Sequence, residues 1–289
     1  MKKKLTSLLM ASALLTGCQS FISKPTKKDI MHSYAWNVNY VSNMDVFYDK
    51  KVSPNVKNIF DDYNYYWGFT SDNNPKNLSR MNLDPIIKYN YPVGMAAEEW
   101  AFNHILIWVP KEMATSKEQS RLVAEKILDK AIKKTWPDMQ FNRMSEMNGG
   151  PLNTFTLGLA GNSSRISTYF IWDRDISCKT NRFTNQKKPN ACLFYISFKG
   201  STGLVNTPKF IGSGSSESYI IDPSFISIDI TDNLKPNASE ERDRRALIQK
   251  LSNNLPSWMF IYLAPNEKNS LPAVMIQSGK SYFYITENR

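Results

Sequence analysis

A strand, a helix and a second strand follow one another twice in this chain, and that order constrains the fold more than any other feature. In the first copy, Phe102–Val109 is an apolar run ended by Pro110. Thr115-x-x-Glu118 has the form of a capping box. Val123, Ile127 and Ala131, with Leu128 and Ile132, then recur at the three- and four-residue spacing of a helix. The spacing predicts a helix over 116–135 that stops before Pro137, with Asp129 and Lys133 paired on its surface. In the second copy a strand at Phe225–Ile230 leads through Pro236 to a helix capped by Asn237 or Ser239. Ile248, Leu251 and Leu255 mark its inner face, Pro256 ends it, and Trp258–Leu263 is a short apolar strand. Ala273–Gln277 and Tyr282–Thr286 flank Ser278-Gly279, a hairpin signal. The fold class expected is α+β: a largely antiparallel sheet with two main helices packed on one face. The two copies align too poorly for a sequence repeat.

The rest of the chain is less regular. Residues 141–151 hold Gly149, Gly150 and Pro151 and read as loop, with a strand expected at Thr154–Leu159. From Ile30 to Pro92 the chain is rich in aromatics and asparagine, and Pro54, Pro75, Pro85 and Pro92 interrupt it. Short strands, turns and a single helix are expected there. Tyr63, Tyr65, Tyr66, Trp67 and Phe69 crowd one stretch, which reads as core, with a sugar-stacking platform as the alternative.

The N-terminus stands outside the fold. Lys2, Lys3 and Lys4 precede a short apolar run, Leu5–Leu15, whose helix would rise only ~16 Å. That is too short to cross a ~30 Å hydrocarbon core, so the segment reads as a signal peptide. It ends Leu15-Thr16-Gly17-Cys18, which resembles the lipobox of bacterial lipoproteins. The resemblance covers about twenty residues and implies diacylglycerol transfer to Cys18, cleavage after Gly17 and N-acylation of the new terminus. Gln19, where an aspartate would resemble an inner-membrane retention signal, points to the outer membrane of a Gram-negative envelope, facing the periplasm. The organisation expected is a signal peptide over 1–17, a lipidated tether over 18–29, and a single α+β body over 30–289 with an aromatic-rich subregion at 30–99.

Compartment and charge narrow the partners. Losing Lys2, Lys3 and Lys4 lowers the formal net charge from +10 by three, to +7. A basic body beside a membrane suits anionic lipid or other anionic envelope polymers, although such a charge is also merely solubilising. Neither the compartment nor the absence of a long basic run suits nucleic acid. Cys178 and Cys192 lie in an oxidising space and flank a polar stretch between the apolar runs Thr168–Trp172 and Leu193–Phe198. They read as a disulfide stapling the base of a loop; a zinc site would need about four ligands.

Chemistry has few candidates. Only His32 and His104 exist. His32 is expected to be exposed, and His104 to be a hydrogen-bonded strand histidine, with general base as the functional alternative. No nucleophile elbow is present, and Gly212–Ser218 lacks the lysine of a P-loop, so it reads as a hairpin loop. Glu98-Glu99, Asp173/Asp175 and Glu240-Glu241 are carboxylate pairs of the kind a glycosidase needs across a cleft. Asp173 and Asp175, beside Arg174, read as a solvated turn, and Glu240-Glu241 suit a first helical turn. Arg242, Arg244 and Arg245 read as a solvated helix face, or a patch for an anionic partner. No catalytic residue, metal or cofactor is assigned, and nothing indicates an oligomeric state. The function expected is a non-enzymatic envelope role in binding, assembly or secretion-machine scaffolding. The alternatives are a carboxylate-based hydrolase of peptidoglycan or glycans, and surface display for adhesion or host contact.

Overall fold

The fold comes from a computed structural model of the protein, which describes residues 25–44, 49–54, 102–147, 164–178, 190–230, 237–266 and 271–287. The strand expected at 154–159, the aromatic stretch at 63–69 and Glu98-Glu99 lie outside these residues, as do Cys18 and its leader.

The described chain runs α1 (Tyr34–Val41), β1 (Lys50–Val52), β2 (His104–Pro110), α2 (Lys117–Thr135), β3 (Gln140–Met147), β4 (Ser164–Ile171), β5 (Cys192–Phe198), β6 (Ser201–Asn206), β7 (Glu217–Asp229), α3 (Ala238–Ser252), β8 (Met259–Leu263), β9 (Val274–Gln277), β10 (Lys280–Phe283) and β11 (Ile285–Glu287). Nine strands form one sheet, ordered β10-β9-β8-β2-β7-β5-β4-β3, with β6 also on β7. Every pairing in it is antiparallel. β1 and β11 form a separate parallel pair. The fold is α+β, as the sequence indicates.

Residue alternation separates the two faces of the sheet. His104, Leu106 and Trp108 on β2 stand opposite Tyr262, Phe260 and Ile220. Trp108 Nε1 donates to Ser42 Oγ, at the end of α1, at 2.9 Å, so α1 lies on this face. Ile196, Phe194, Ile226 and Ile228 point the other way. There Phe194 meets Trp136, the residue that ends α2. The two long helices touch each other on that side, where Asn254 Nδ2 donates to Thr135 Oγ1 at 2.9 Å. Leu128, Ile132, Leu247, Ile248 and Leu251 are fully buried between helices and sheet.

Four readings change. Residues 140–147 are an edge strand, not loop: β3 pairs with β4 from Gln140↔Phe170 to Met147↔Ser164. The strand at 225–230 is the second half of the thirteen-residue β7. Pro223 hides the first half, because it has no N–H for a ladder. Where it falls, the β2 register shifts and the Lys199 N–H turns to Ser224 Oγ at 3.1 Å. β5 and β6 therefore act as one interrupted strand alongside β7, and the loop 207–216 closes the hairpin. The α2 cap is Ser116, one residue later than Thr115: Ser116 Oγ accepts from Gln119 N, and the Gln119 side chain reaches back to Thr115. At α3 the capping box is complete, with Asn237 and Glu240 reciprocally bonded. The fourth change concerns polar clusters and is described with the candidate site.

Ser278-Gly279 turns between β9 and β10 with φ of 48° and 77°. A Cβ on Gly279 would lie 1.8 Å from Asn253 Oδ1, so this turn requires glycine. Cys178 and Cys192 are bonded, with Cα atoms 5.1 Å apart. Thiol labelling of the unreduced protein is expected to leave both unmodified; stoichiometric labelling of the pair would contradict the bond.

Candidate functional site

The most developed surface feature is built at the point where the chain enters the fold. Asn37, on the buried side of α1, clamps Asp29: its Oδ1 accepts from Asp29 N at 2.7 Å and its Nδ2 donates to Asp29 O at 3.0 Å. Asp29 then organises a tight turn. Its carboxylate accepts from Met31 N at 2.8 Å, and its carbonyl from His32 N at 3.3 Å. Ser33 caps α1 by accepting from Trp36 N. The Asp49 carboxylate, side chain 5% exposed, accepts from Ser33 N at 2.7 Å and lies 3.1 Å from His32 Nδ1.

This order presents apolar side chains to solvent. Ile30 and Met31, at the corners of the turn, are 77% and 63% exposed, more than any other large hydrophobic residue among those described. His32, Trp36 and Tyr40 continue along α1 at i, i+4 and i+8, stacked with centroids 3.8 Å and 5.0 Å apart. His32 is thus half-buried and partnered rather than freely exposed. The three rings form one continuous stack along the helix. Lys28 and Lys280 lie over the rings of Tyr34 and Tyr282, which pack 4.5 Å apart. Burial, with Tyr282 close by, pushes the Tyr34 phenol well above its ordinary pKa. Its oxygen is 2.9 Å from Phe210 O and 3.0 Å from Gln277 Oε1, which fixes α1 to the sheet edge.

The residues with chemical potential are used for structure. His104 is buried inside β2 and stacks on Tyr262. Asp173 is not in a solvated turn: its side chain is 1% exposed and joins three elements. It accepts from Trp136 Nε1 at 2.9 Å, from Asp175 N at 3.0 Å and from Lys250 Nζ at 2.7 Å. Burial raises its pKa, but Lys250 and the other donors outweigh that and hold it below the ordinary value. Asp175, half-exposed, shares Lys250 at 3.0 Å. The arginines form no patch either. Arg245 is 1% exposed and donates to Pro272 O at 2.8 Å and Ala264 O at 2.6 Å. Arg244 donates to Ile228 O and Glu241, and only Arg242 faces solvent. Glu240 caps α3, while Glu241 is buried between Arg244 and Arg245. In the 207–216 hairpin loop, Ser213 and Ser215 bond within their own turn and Ser215 also reaches Glu112. The Glu112 carboxylate, 3.0 Å from Ser215 Oγ, shares that hydroxyl with the Glu217 carbonyl at 2.6 Å.

Among the described residues, no group of three or more His, Cys, Asp or Glu side chains is arranged to hold a metal, and no helix is long and apolar enough to cross a membrane. The Ile30–Met31 turn escapes sequence reading because two apolar residues after a lysine-rich stretch look like the start of a core. The asparagine four residues past the serine cap, which clamps the turn outward, is its only local signal.

By its described residues the protein belongs to the α+β class, a nine-stranded antiparallel sheet with two helices on one face and a short one on the other, beside a two-stranded parallel pair. No family model, curated protein or solved structure matches the chain.

Proposed function

We propose that this protein is a lipid-anchored component of the bacterial envelope, acylated at Cys18, held in the outer membrane and facing the periplasm. It works by binding, in assembly or as a scaffold for a secretion machine, and not by turnover. The observation that carries the binding reading is the use of the polar side chains. Asp173, Lys250, Glu241 and Arg245 hold helices to sheet, and His104 packs within a strand. The Cys178–Cys192 bond suits an oxidising compartment.

Two measurements test this. Cys18→Ala is expected to abolish acylation and release the protein from the membrane fraction. Retention of the variant with membranes, together with no acyl group on wild type by mass spectrometry, overturns the anchor. Purified protein is expected to give no zymographic clearing and no new muropeptides, while crosslinking in native envelopes yields a discrete partner. Turnover lost on Asp175→Asn with the fold intact would replace binding with carboxylate hydrolysis.

A further inference from the structure

We infer that the Asp29–His32 turn and the outer edge of α1 make a second contact with an anionic lipid surface, Ile30 and Met31 entering the acyl boundary and Lys27 and Lys28 meeting the headgroups. The inference deepens the envelope proposal and rests on the anchor at Cys18.

Three observations carry it. First, the apolar side chains are held out by design of the local structure: the clamp of Asn37 on Asp29 fixes the turn on which Ile30 and Met31 sit. Leaving such side chains in water forgoes about 1.5–3 kcal/mol each relative to burial. Second, the flanking chemistry is that of a membrane interface. Lys27, Lys28 and Lys280 are exposed, Lys28 and Lys280 over the Tyr34–Tyr282 pair, and Trp36 and Tyr40 continue from His32 along α1. Amphipathic aromatics favour the headgroup level, and each lysine near an anionic surface contributes about 1 kcal/mol. Of the nearby acids, exposed Asp29 offsets one lysine and Asp49 is buried against Ser33 and His32, so three exposed lysines against one exposed acid leave the surface positive. Third, the distance is right. Cys18 precedes Asp29 by eleven residues. Eleven residues span at most about 36–40 Å even when fully extended. An acyl anchor at Cys18 would therefore keep the turn within reach of the bilayer and make the second contact intramolecular.

The test uses the mature acylated protein, reconstituted in vesicles of phosphatidylethanolamine and phosphatidylglycerol. With Cys18 in thioether linkage and Cys178–Cys192 bonded, Met31→Cys supplies one free thiol for a fluorophore. Leu122→Cys, on α2 across the sheet, supplies the control. Nitroxide-labelled acyl chains are expected to quench the probe at 31 and not at 122. Lys27→Glu with Lys28→Glu, or replacement of phosphatidylglycerol by phosphatidylcholine, is expected to weaken that quenching. Ile30→Ser should shift the docked equilibrium about tenfold toward undocked, the loss expected from one partly buried isoleucine. Equal access of a water-soluble quencher to both probes overturns the inference. So does protection at 31 that follows protein density and ignores lipid charge, which would mean that a second copy covers the turn. Mass spectrometry of the same sample reads the anchor separately. If Cys18 is unacylated the anchor falls; the probe is then read in the Cys18→Ser background, which keeps one labelled thiol, with the protein free among the vesicles, where lipid quenching at 31 supports the contact and its absence overturns it.

Discussion

Replacing Arg245 with leucine is expected to destabilise the protein by about 3–5 kcal/mol, the range for removing one partner of a buried ion pair. Arg245 is the largest charged side chain in the core. Its guanidinium satisfies the carbonyls of Ala264 and Pro272, in the segment joining β8 to β9, and lies 3.4 Å from Glu241. Leucine orphans both carbonyls and leaves Glu241 with Arg244 alone. Arg245→Lys should recover only part of the loss, because one ammonium cannot reproduce the planar fork that reaches two carbonyls at once. Glu241→Gln in the leucine background should cost less than in wild type, since the charge it removes is already half-compensated. Urea unfolding followed by circular dichroism measures all three. A leucine variant within about 0.5 kcal/mol of wild type, the range of an ordinary surface change, would refute the buried network.

The second large effect belongs to Asp173. Asp173→Ala is expected to cost about 2–4 kcal/mol at neutral pH, because it strands the Trp136 indole N–H and two backbone N–H groups and removes the buried partner of Lys250. Lys250 is about a third exposed and keeps Asp175, which holds the figure below that of a fully buried pair. The pH dependence has a definite sign. The carboxyl is held below its ordinary value in the folded state, so the unfolded chain takes up the proton first. Its stabilisation is complete above the unfolded pKa of about 3.9 and is lost as pH falls from there through the folded value. Wild type should therefore lose stability over that acid range more steeply than Asp173→Asn, and the difference between the two curves isolates this carboxylate. Parallel curves would mean that Asp173 is not tied to Lys250 in solution.

That second effect also marks where the sequence stops being informative. Asp173 and Lys250 are 77 residues apart, and nothing near either one announces the other. Read locally, Asp173-Arg174-Asp175 is a polar tripeptide after a strand. The same holds for Arg245, whose helical spacing from Arg242 says they share a face but not that the face at Arg245 is closed by residues 264 and 272. By contrast, α2 and the start of α3 were legible to within a residue because their signals are local, an apolar stripe and a cap, whereas α3 ends at Ser252, three residues before the Leu255 that the stripe included. The β9–β10 turn and the disulfide were legible for the same reason, in Ser278-Gly279 and in the strand–loop–strand between the cysteines. β3 was not, because Gln140–Met147 carries polar residues through most of its length, as an edge strand can, and the glycines beyond it dominate the local pattern. Of the candidate surface, the lysines before residue 29 were legible and the outward turn was not, since its direction depends on Asn37.

The parallel pairing of β1 with β11 joins Lys50–Val52 to Ile285–Glu287, and α1 packs on β10 at residues 280–283. A polypeptide is synthesised N-terminus first. The segment that carries the Asp29–His32 turn is made early, yet the strands that seat it follow more than two hundred residues later. Loop closure over that separation is slow, because its entropy must be spent before any contact repays it. During synthesis the early segment therefore has no partner strands to seat it until the distal ones arrive.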